Sequence, residues 1–301
     1  MAKRKTKAKK RYPVQRATEI RTFGNDDNKL IDVPKMLSML NHRLYRQSRV
    51  YRAKINHMNR TEQQTSFPNG FTVEVYALRD TWMLQKAYQL AKSTYDKNTA
   101  EERARLGSKQ TARWEDFRIV ADLESGGTEM RPYVTDANTL AGSLLNSGEH
   151  VASQVVDESG VSRAFGLFAS ASRYSILQEY DNTANTEVSP DTTIASSNLA
   201  YGELDNDAQA DSMEDLQTHG NNPPYDATGL ESSNPFVKVG EIGHYGDKLV
   251  STTGFFDAPL GIIYVRYTDG RQGGAGAANI HLELEVANGD YKGVHAVNYL
   301  E

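Results

Sequence analysis

Seven histidines are the side chains of this chain that titrate near neutrality, and they are scattered: His42, His57, His150, His219, His244, His281 and His295. The two closest in sequence stand fourteen residues apart, so no local pair has metal-ligand spacing. There is no cysteine, which removes thiolate nucleophiles, thiolate metal sites and disulfides together. The glycine-rich run Gly270 to Gly276 lacks the Lys-Ser/Thr of a phosphate loop and lies between two expected strands, so it reads as a hairpin loop. No Gly-x-Ser-x-Gly elbow is present. Asp226-Ala-Thr-Gly229 has the outline of an aspartic-protease motif but reads better as a turn. Glu203, Asp205, Asp207, Asp211, Glu214 and Asp215 could together bind a hard cation such as calcium between subunits. They lack the glycine and terminal glutamate of an EF-hand loop, and a solvated acidic loop is the better reading. Asn59-Arg-Thr61 is a formal glycosylation acceptor, but no secretory signal is expected that would bring it to the enzyme. These residues assemble no catalytic constellation. No enzyme, no cofactor and no metal is expected.

The chemistry that does stand out is electrostatic. Residues 1–60 hold 17 Lys/Arg and 4 Asp/Glu, a balance of +13. The rest holds 17 and 35, a balance of -18. The overall net charge of -5 conceals this asymmetry, which points to a polyanionic partner for the first part. Within Met1 to Tyr12, Lys3, Arg4, Lys5, Lys7, Lys9, Lys10 and Arg11 are unrelieved by any acid. A segment so charged and so poor in apolar groups cannot offset its ordering entropy by burial, so residues 1–33 read as a disordered basic arm. Such an arm neutralises phosphates and releases counterions, whatever the base sequence. Lys3 to Arg11 also fits a nuclear-import signal, and one arm can serve both purposes. Arg16 belongs to the same candidate set. No apolar run approaches membrane-spanning length, and no membrane insertion is expected.

These cations need elements to hold them. Leu37, Leu40 and Leu44 fall at helical spacing behind Asp32 and Pro34, which predicts a short helix over Pro34 to Tyr45. From Ser48 the period becomes two. Tyr51, Ala53 and Ile55 should point inward, leaving Arg52 and Lys54 on the other face. Arg43 and Arg46, near the end of the helix, would join them as the nearest ordered cations to a bound polyanion. The competing reading is a solvated strand face paired with acidic neighbours. Further alternation marks Phe71 to Ala77, Phe117 to Leu123 and Ile280 to Val286, the last placing His281, Glu283 and Glu285 outward. Less regular strands are expected at Val151 to Val156, Arg163 to Phe168, Tyr174 to Tyr180 and Ile262 to Tyr267. About eight strands joined by polar loops predict an all-β antiparallel sandwich. A helical insertion interrupts it. Leu84, Ala87, Tyr88, Ala91 and Tyr95 follow an N-cap at Asp80, and a second short helix opens at the capping box Thr99 to Glu102 and stops at Gly107. Residues 34–301 would form one domain, with surface loops carrying a strand or two over about 182–248.

Three strings resemble a known family. Asn41-His-Arg-Leu-Tyr-Arg-Gln47, running into a basic strand, is similar to the start of the shell domain in capsid proteins of circular single-stranded DNA viruses of eukaryotes. Ala258-Pro-Leu-Gly-Ile-Ile-Tyr-Val265 and Leu282-Glu-Leu-Glu-Val-Ala-Asn-Gly-Asp-Tyr-Lys-Gly-Val294 resemble its last two strands and C-terminal tail. The likeness covers both ends, while residues 125–250 resemble no family. The resemblance implies a single eight-stranded jelly roll that self-assembles around a circular single-stranded DNA genome, in a virion put together in the host nucleus. A homo-oligomer of about sixty copies is expected, since a body of about 250 residues in one domain suits the smallest icosahedral arrangement. The lysine-rich arm departs from the arginine-rich arms of many relatives and leaves the virus group and the host receptor open. A small RNA virus with the same fold fits too. So does a cellular β-barrel nucleic-acid-binding protein, although its body should then carry a basic, aromatic-studded face. A jelly-roll enzyme of the cupin type would need clustered histidines, and a lectin would not need the arm.

Overall fold

The computed structural model describes residues 13–22, 28–58, 71–106, 114–121, 128–135, 142–145, 152–156, 160–184, 235–245, 248–269 and 280–300. Its first two strands, β1 (Ala17–Thr22) and β2 (Asn28–Asp32), overturn the expectation that residues 1–33 are all disordered arm. The basic composition of the first twelve residues hid a different pattern behind them: Ile20, Leu30 and Ile31 are apolar and buried. β2 leads into helix α1 (Val33–Asn41), whose N-cap is Asp32 accepting from the Lys35 N–H at 2.8 Å. α1 is shorter than the expected Pro34 to Tyr45. His42 turns left-handed at φ 47°, and Asn41 donates to the Leu37 carbonyl, so the chain leaves the helix and swings Tyr45 into the core.

β3 (Arg49–His57) and β4 (Phe71–Leu78) follow as the alternation predicts, with Tyr51, Ala53, Ile55, Val73, Val75 and Ala77 buried. Helix α2 (Trp82–Leu106) runs unbroken through the Thr99 to Glu102 box. Thr99 donates its hydroxyl to the Tyr95 carbonyl inside the helix instead of capping a new one. At its start Thr81, and not Asp80, accepts from the Leu84 N–H. Short strands then form β5 (Thr128–Glu129), β6 (Tyr133–Thr135), β7 (Gly142–Leu144), β8 (Gln154–Val156), β9 (Ser162–Gly166) and β10 (Arg173–Ser175). The strand expected at Tyr174 to Tyr180 becomes helix α3 (Ile176–Ala184), because Ser175 accepts from the Gln178 N–H and starts a helix there. The chain closes with β11 (Phe236–Tyr245), β12 (Lys248–Val250), β13 (Phe256–Pro259), β14 (Ile262–Asp269), β15 (Ile280–Val286) and β16 (Ala296–Asn298).

The chain is thus mainly β-sheet, but with sixteen strands among the described residues where eight were expected. One sheet has the order β13-β3-β15-β1-β6-β7, with β16 also on β3; a second has the order β12-β11-β4-β14-β2-β5; a small third is β10-β9-β8. The two large sheets face each other. Ile20, Tyr51, Ala53, Ile55, Leu282 and Leu284 from one meet Ile31, Val73, Val75, Ile242, Ile263 and Val265 from the other in a single core. A second core covers the outer side of β14 and β2, where Ile262 and Leu30 meet α2 residues Leu84, Ala87 and Tyr88 and α3 residues Ile176 and Leu177. Burial on both faces explains why Ile262 to Val265 is continuously apolar rather than alternating.

Phe117, Ile119 and Ala121 are buried as expected but form no strand. That segment is held by scattered bonds instead: Val120 N–H to the Phe165 carbonyl, Ser153 N–H to the Arg118 carbonyl, and the Gln47 side chain on both polar groups of Ile119. His281 was expected outward yet is buried, its Nδ1 lying 2.5 Å from Glu19 on the neighbouring β1. The pairing strand that covers it was not anticipated. β11 and β12 occupy part of the expected 182–248 loop region, and α3 reaches into its start.

Candidate nucleic-acid interface

Lys3, Arg4, Lys5, Lys7, Lys9, Lys10 and Arg11 lie outside the described residues, as do the carboxylates of 203–215, the 270–276 run, Asp226 to Gly229 and Asn59 to Thr61. The place of the first described residues, Pro13 to Arg16, is defined. Gln15 and Asn41 exchange two bonds of 2.9 Å, tying the chain's entry to the end of α1. Val14 lies so close to Gly293 that an added Cβ there would fall 2.7 Å from its methyl. Arg16, half-buried, offers its carbonyl to the Val286 N–H at the end of β15. The first described residues therefore lie beside Asn41 and Gly293, next to the N-terminal half of β3.

Around that place the cations divide. Arg43, Arg46 and Arg52 are exposed. Lys54 is not available in the same way. Its ammonium is 2.7 Å from Glu285 on β15, directly opposite in register, and stands over the Phe255 ring. Lys54 thus has the acidic cross-strand partner that the paired-strand-face reading expects. Two further cations escaped sequence reasoning. Arg49 donates to the Ala296 carbonyl at 3.1 Å and lays its guanidinium 3.6 Å from the centroid of Tyr291. Lys292 donates to the Leu44 carbonyl, and its ammonium stands 5.2 Å from the Tyr291 ring and 5.8 Å from that of Tyr45. Neither could be found by period or motif, because the contact joins residues 247 and 248 positions apart in the chain.

The 44–47 segment that carries Arg46 is stitched down on both sides. The Tyr291 hydroxyl accepts from the Arg46 N–H, Tyr51 donates to the Arg46 carbonyl at 2.7 Å, and the Tyr45 hydroxyl donates to the Lys292 carbonyl. Burial raises the Tyr45 phenol above its ordinary range, opposed by the charge and hydrogen bond of Arg43. Below the segment, Gln47 donates its N–H to Asp116 at 2.9 Å. Asp116 joins a buried polar layer in which Arg118 meets Asp32 at 2.5 Å and Lys35 meets Glu129 at 2.6 Å. Among the described residues, no carboxylate forms an ion pair with Arg43, Arg46, Arg49, Arg52 or Lys292. The result is a rigid, aromatic-backed cationic surface suited to phosphate contacts that are indifferent to base sequence.

Asp116 yields a stability prediction. Burial holds its carboxyl above the ordinary aspartate range, against the lowering effect of Gln47 and Arg118. The native state then binds this proton more tightly than the unfolded chain. Stability from this group is greatest below the ordinary carboxylate pKa and is lost as pH rises through the elevated one. Asp116→Asn keeps an acceptor for Gln47 without the buried charge. Its melting temperature should exceed that of the wild type at pH 7, and the gap should close as pH falls toward 3, in parallel thermal scans.

Among the described residues, no group of three side chains could hold a metal ion, and no helix is long and apolar enough to cross a membrane. Comparison with protein families, curated proteins and solved structures found no match to this chain.

Proposed function

We propose that the chain is the coat subunit of a small icosahedral virus, of the kind that encloses a circular single-stranded DNA genome in eukaryotic hosts. One observation carries the reading of the fold as a jelly roll. β3 pairs antiparallel with β15 in one sheet while β4 pairs antiparallel with β14 in the other. The successive strands β3 and β4 therefore lie in opposite sheets, and β14 and β15 return alongside them in reverse order. That arrangement supports reading the fold as a jelly roll, whose sheets come from a rolled double hairpin. β1 and β2 extend the two sheets beyond β15 and β14 as an N-terminal addition.

The function rests on charge placed on that frame. Seven cations within residues 3–11 precede a body whose first described residues lie at a cationic surface, while the remainder of the chain is acidic. The arm and the Arg43, Arg46 and Arg52 surface bind the genome's phosphates, and neighbouring copies close the shell. Exposed Trp82, Val156 and Val297 are apolar side chains of the sort that subunit contacts cover. The particle would be assembled in the host nucleus, with no catalytic role for the chain. A coat protein of a small RNA virus would use the same phosphate contacts. A cellular nucleic-acid-binding protein is favoured by one observation, the aromatic-backed cations around Tyr45 and Tyr291. Light scattering separates it from a coat protein. A coat protein must form large closed assemblies in some range of pH and salt, and a chain that stays monomeric throughout contradicts the proposal.

A further inference from the structure

Tyr291, Lys292, Gly293 and Val294 form a tight hairpin, closed by Tyr291 N–H to the Val294 carbonyl and Val294 N–H to the Tyr291 carbonyl. Both central residues are left-handed, with φ 52° at Lys292 and 94° at Gly293. Turns with two left-handed central residues favour Asn, Asp or Gly at the first, where a β-carbon is otherwise strained. A lysine there costs stability for reasons that turn formation does not supply. Observed strain of this kind points to function.

The lysine is also held. Its ammonium donates one bond, to the Leu44 carbonyl, and sits over two aromatic rings, which leaves its other two N–H groups for a further acceptor. The turn's second central residue, Gly293, packs against Val14, next to Pro13, the first described residue. Arg43 and Arg46, exposed, flank Leu44 and Tyr45 on the facing segment. The one carboxylate on the hairpin's approach, Asp290, is itself exposed.

We propose that this hairpin is a phosphate-holding element: Lys292, with Arg43 and Arg46, takes up the phosphodiester of a single nucleic-acid strand as that strand passes from the arm onto the body. The proposal rests on the genome-binding reading above and adds to it a particular site. The rings pre-position the ammonium, so it gives up less side-chain freedom on binding than an arm lysine does. Contact is to backbone phosphate alone, so deoxythymidine and uridine oligomers are held alike at this site.

The hairpin provides its own control. Lys292→Asn places the residue that this turn favours, so the full-length variant should melt at or above the wild-type temperature. Its binding to a labelled 30-mer of deoxythymidylate is then read by fluorescence anisotropy across a salt series. Loss of one phosphate contact should flatten the slope of log K against log salt by about 0.7, roughly a fourfold loss at 0.15 M salt. Lys292→Arg should restore both, and a 30-mer of uridylate should show the same change. An unchanged slope in Lys292→Asn, with wild-type binding intact, overturns the hairpin site and leaves the genome-binding reading standing. Wild-type protein that binds neither oligomer overturns both.

Discussion

Removing residues 1–12 will leave a folded protein that has lost its hold on nucleic acid, whereas removing residues 1–33 will leave no folded protein at all. The shorter deletion takes away seven cations and none of the residues buried among those described. If each meets one phosphate, affinity for single strands falls by up to about four orders of magnitude at 0.15 M salt. Assembled particles should then lack nucleic acid, as seen in the ratio of absorbance at 260 and 280 nm. The longer deletion also removes β1, paired along its length with β15, and β2, paired with β14. Ile20, Leu30 and Ile31 alone contribute about 5–9 kcal/mol by burial, which is comparable to the whole stability of a typical domain. Soluble yield and circular dichroism distinguish the two outcomes. A soluble, β-rich protein lacking residues 1–33 would mean that neither strand is integral to the fold.

Gly261→Ala will be among the most damaging single substitutions in the body. Leu260 and Gly261 form the turn between β13 and β14 with φ 56° and 66°, and the Gly261 carbonyl accepts from the Val33 N–H at the start of α1. A Cβ at 261 would stand 2.2 Å from the Pro34 ring and 3.0 Å from the Tyr51 ring. The left-handed backbone costs about 1 kcal/mol in alanine, and displacing a proline ring packed in the core adds roughly 1–3 kcal/mol. Gly160 is the internal comparison: its φ is 78° but no atom lies within 4 Å of an added Cβ. Gly160→Ala should therefore show the conformational cost alone, about 1 kcal/mol. Equal denaturation midpoints for the two variants would contradict the packing at Pro34.

The parts of this fold legible in the sequence are those where one strand face meets the core and the other meets water. β3, β4 and β15 alternate cleanly, and Tyr51, Ala53 and Ile55 point where their spacing says they must. Three kinds of signal misled. A strong composition at the first twelve residues masked the weaker apolar pattern of β1 and β2 behind it. Local capping chemistry was ambiguous. Thr99 could cap a new helix or bond back to Tyr95 within one, and Ser175 with Gln178 could open a helix inside an apparent strand. Tertiary pairing was invisible, so Lys54 looked free although Glu285 lies opposite it, and His281 looked exposed although β1 covers it. The candidate site follows the same rule. Arg43, Arg46 and Arg52 could be named from their position after the helix and along β3. Arg49 and Lys292 gain their setting only when the 291–294 hairpin folds onto residues 44–49 from the far end of the chain.

The central claim, that this chain builds a closed shell, is tested most directly by negative-stain electron microscopy of the purified full-length protein over a series of pH and salt conditions. The account predicts uniform hollow particles of one diameter, with about sixty subunits each by mass, the arm side facing inward. Fields of dispersed single molecules, or open filaments and irregular clumps with no closed particle under any condition, would contradict it.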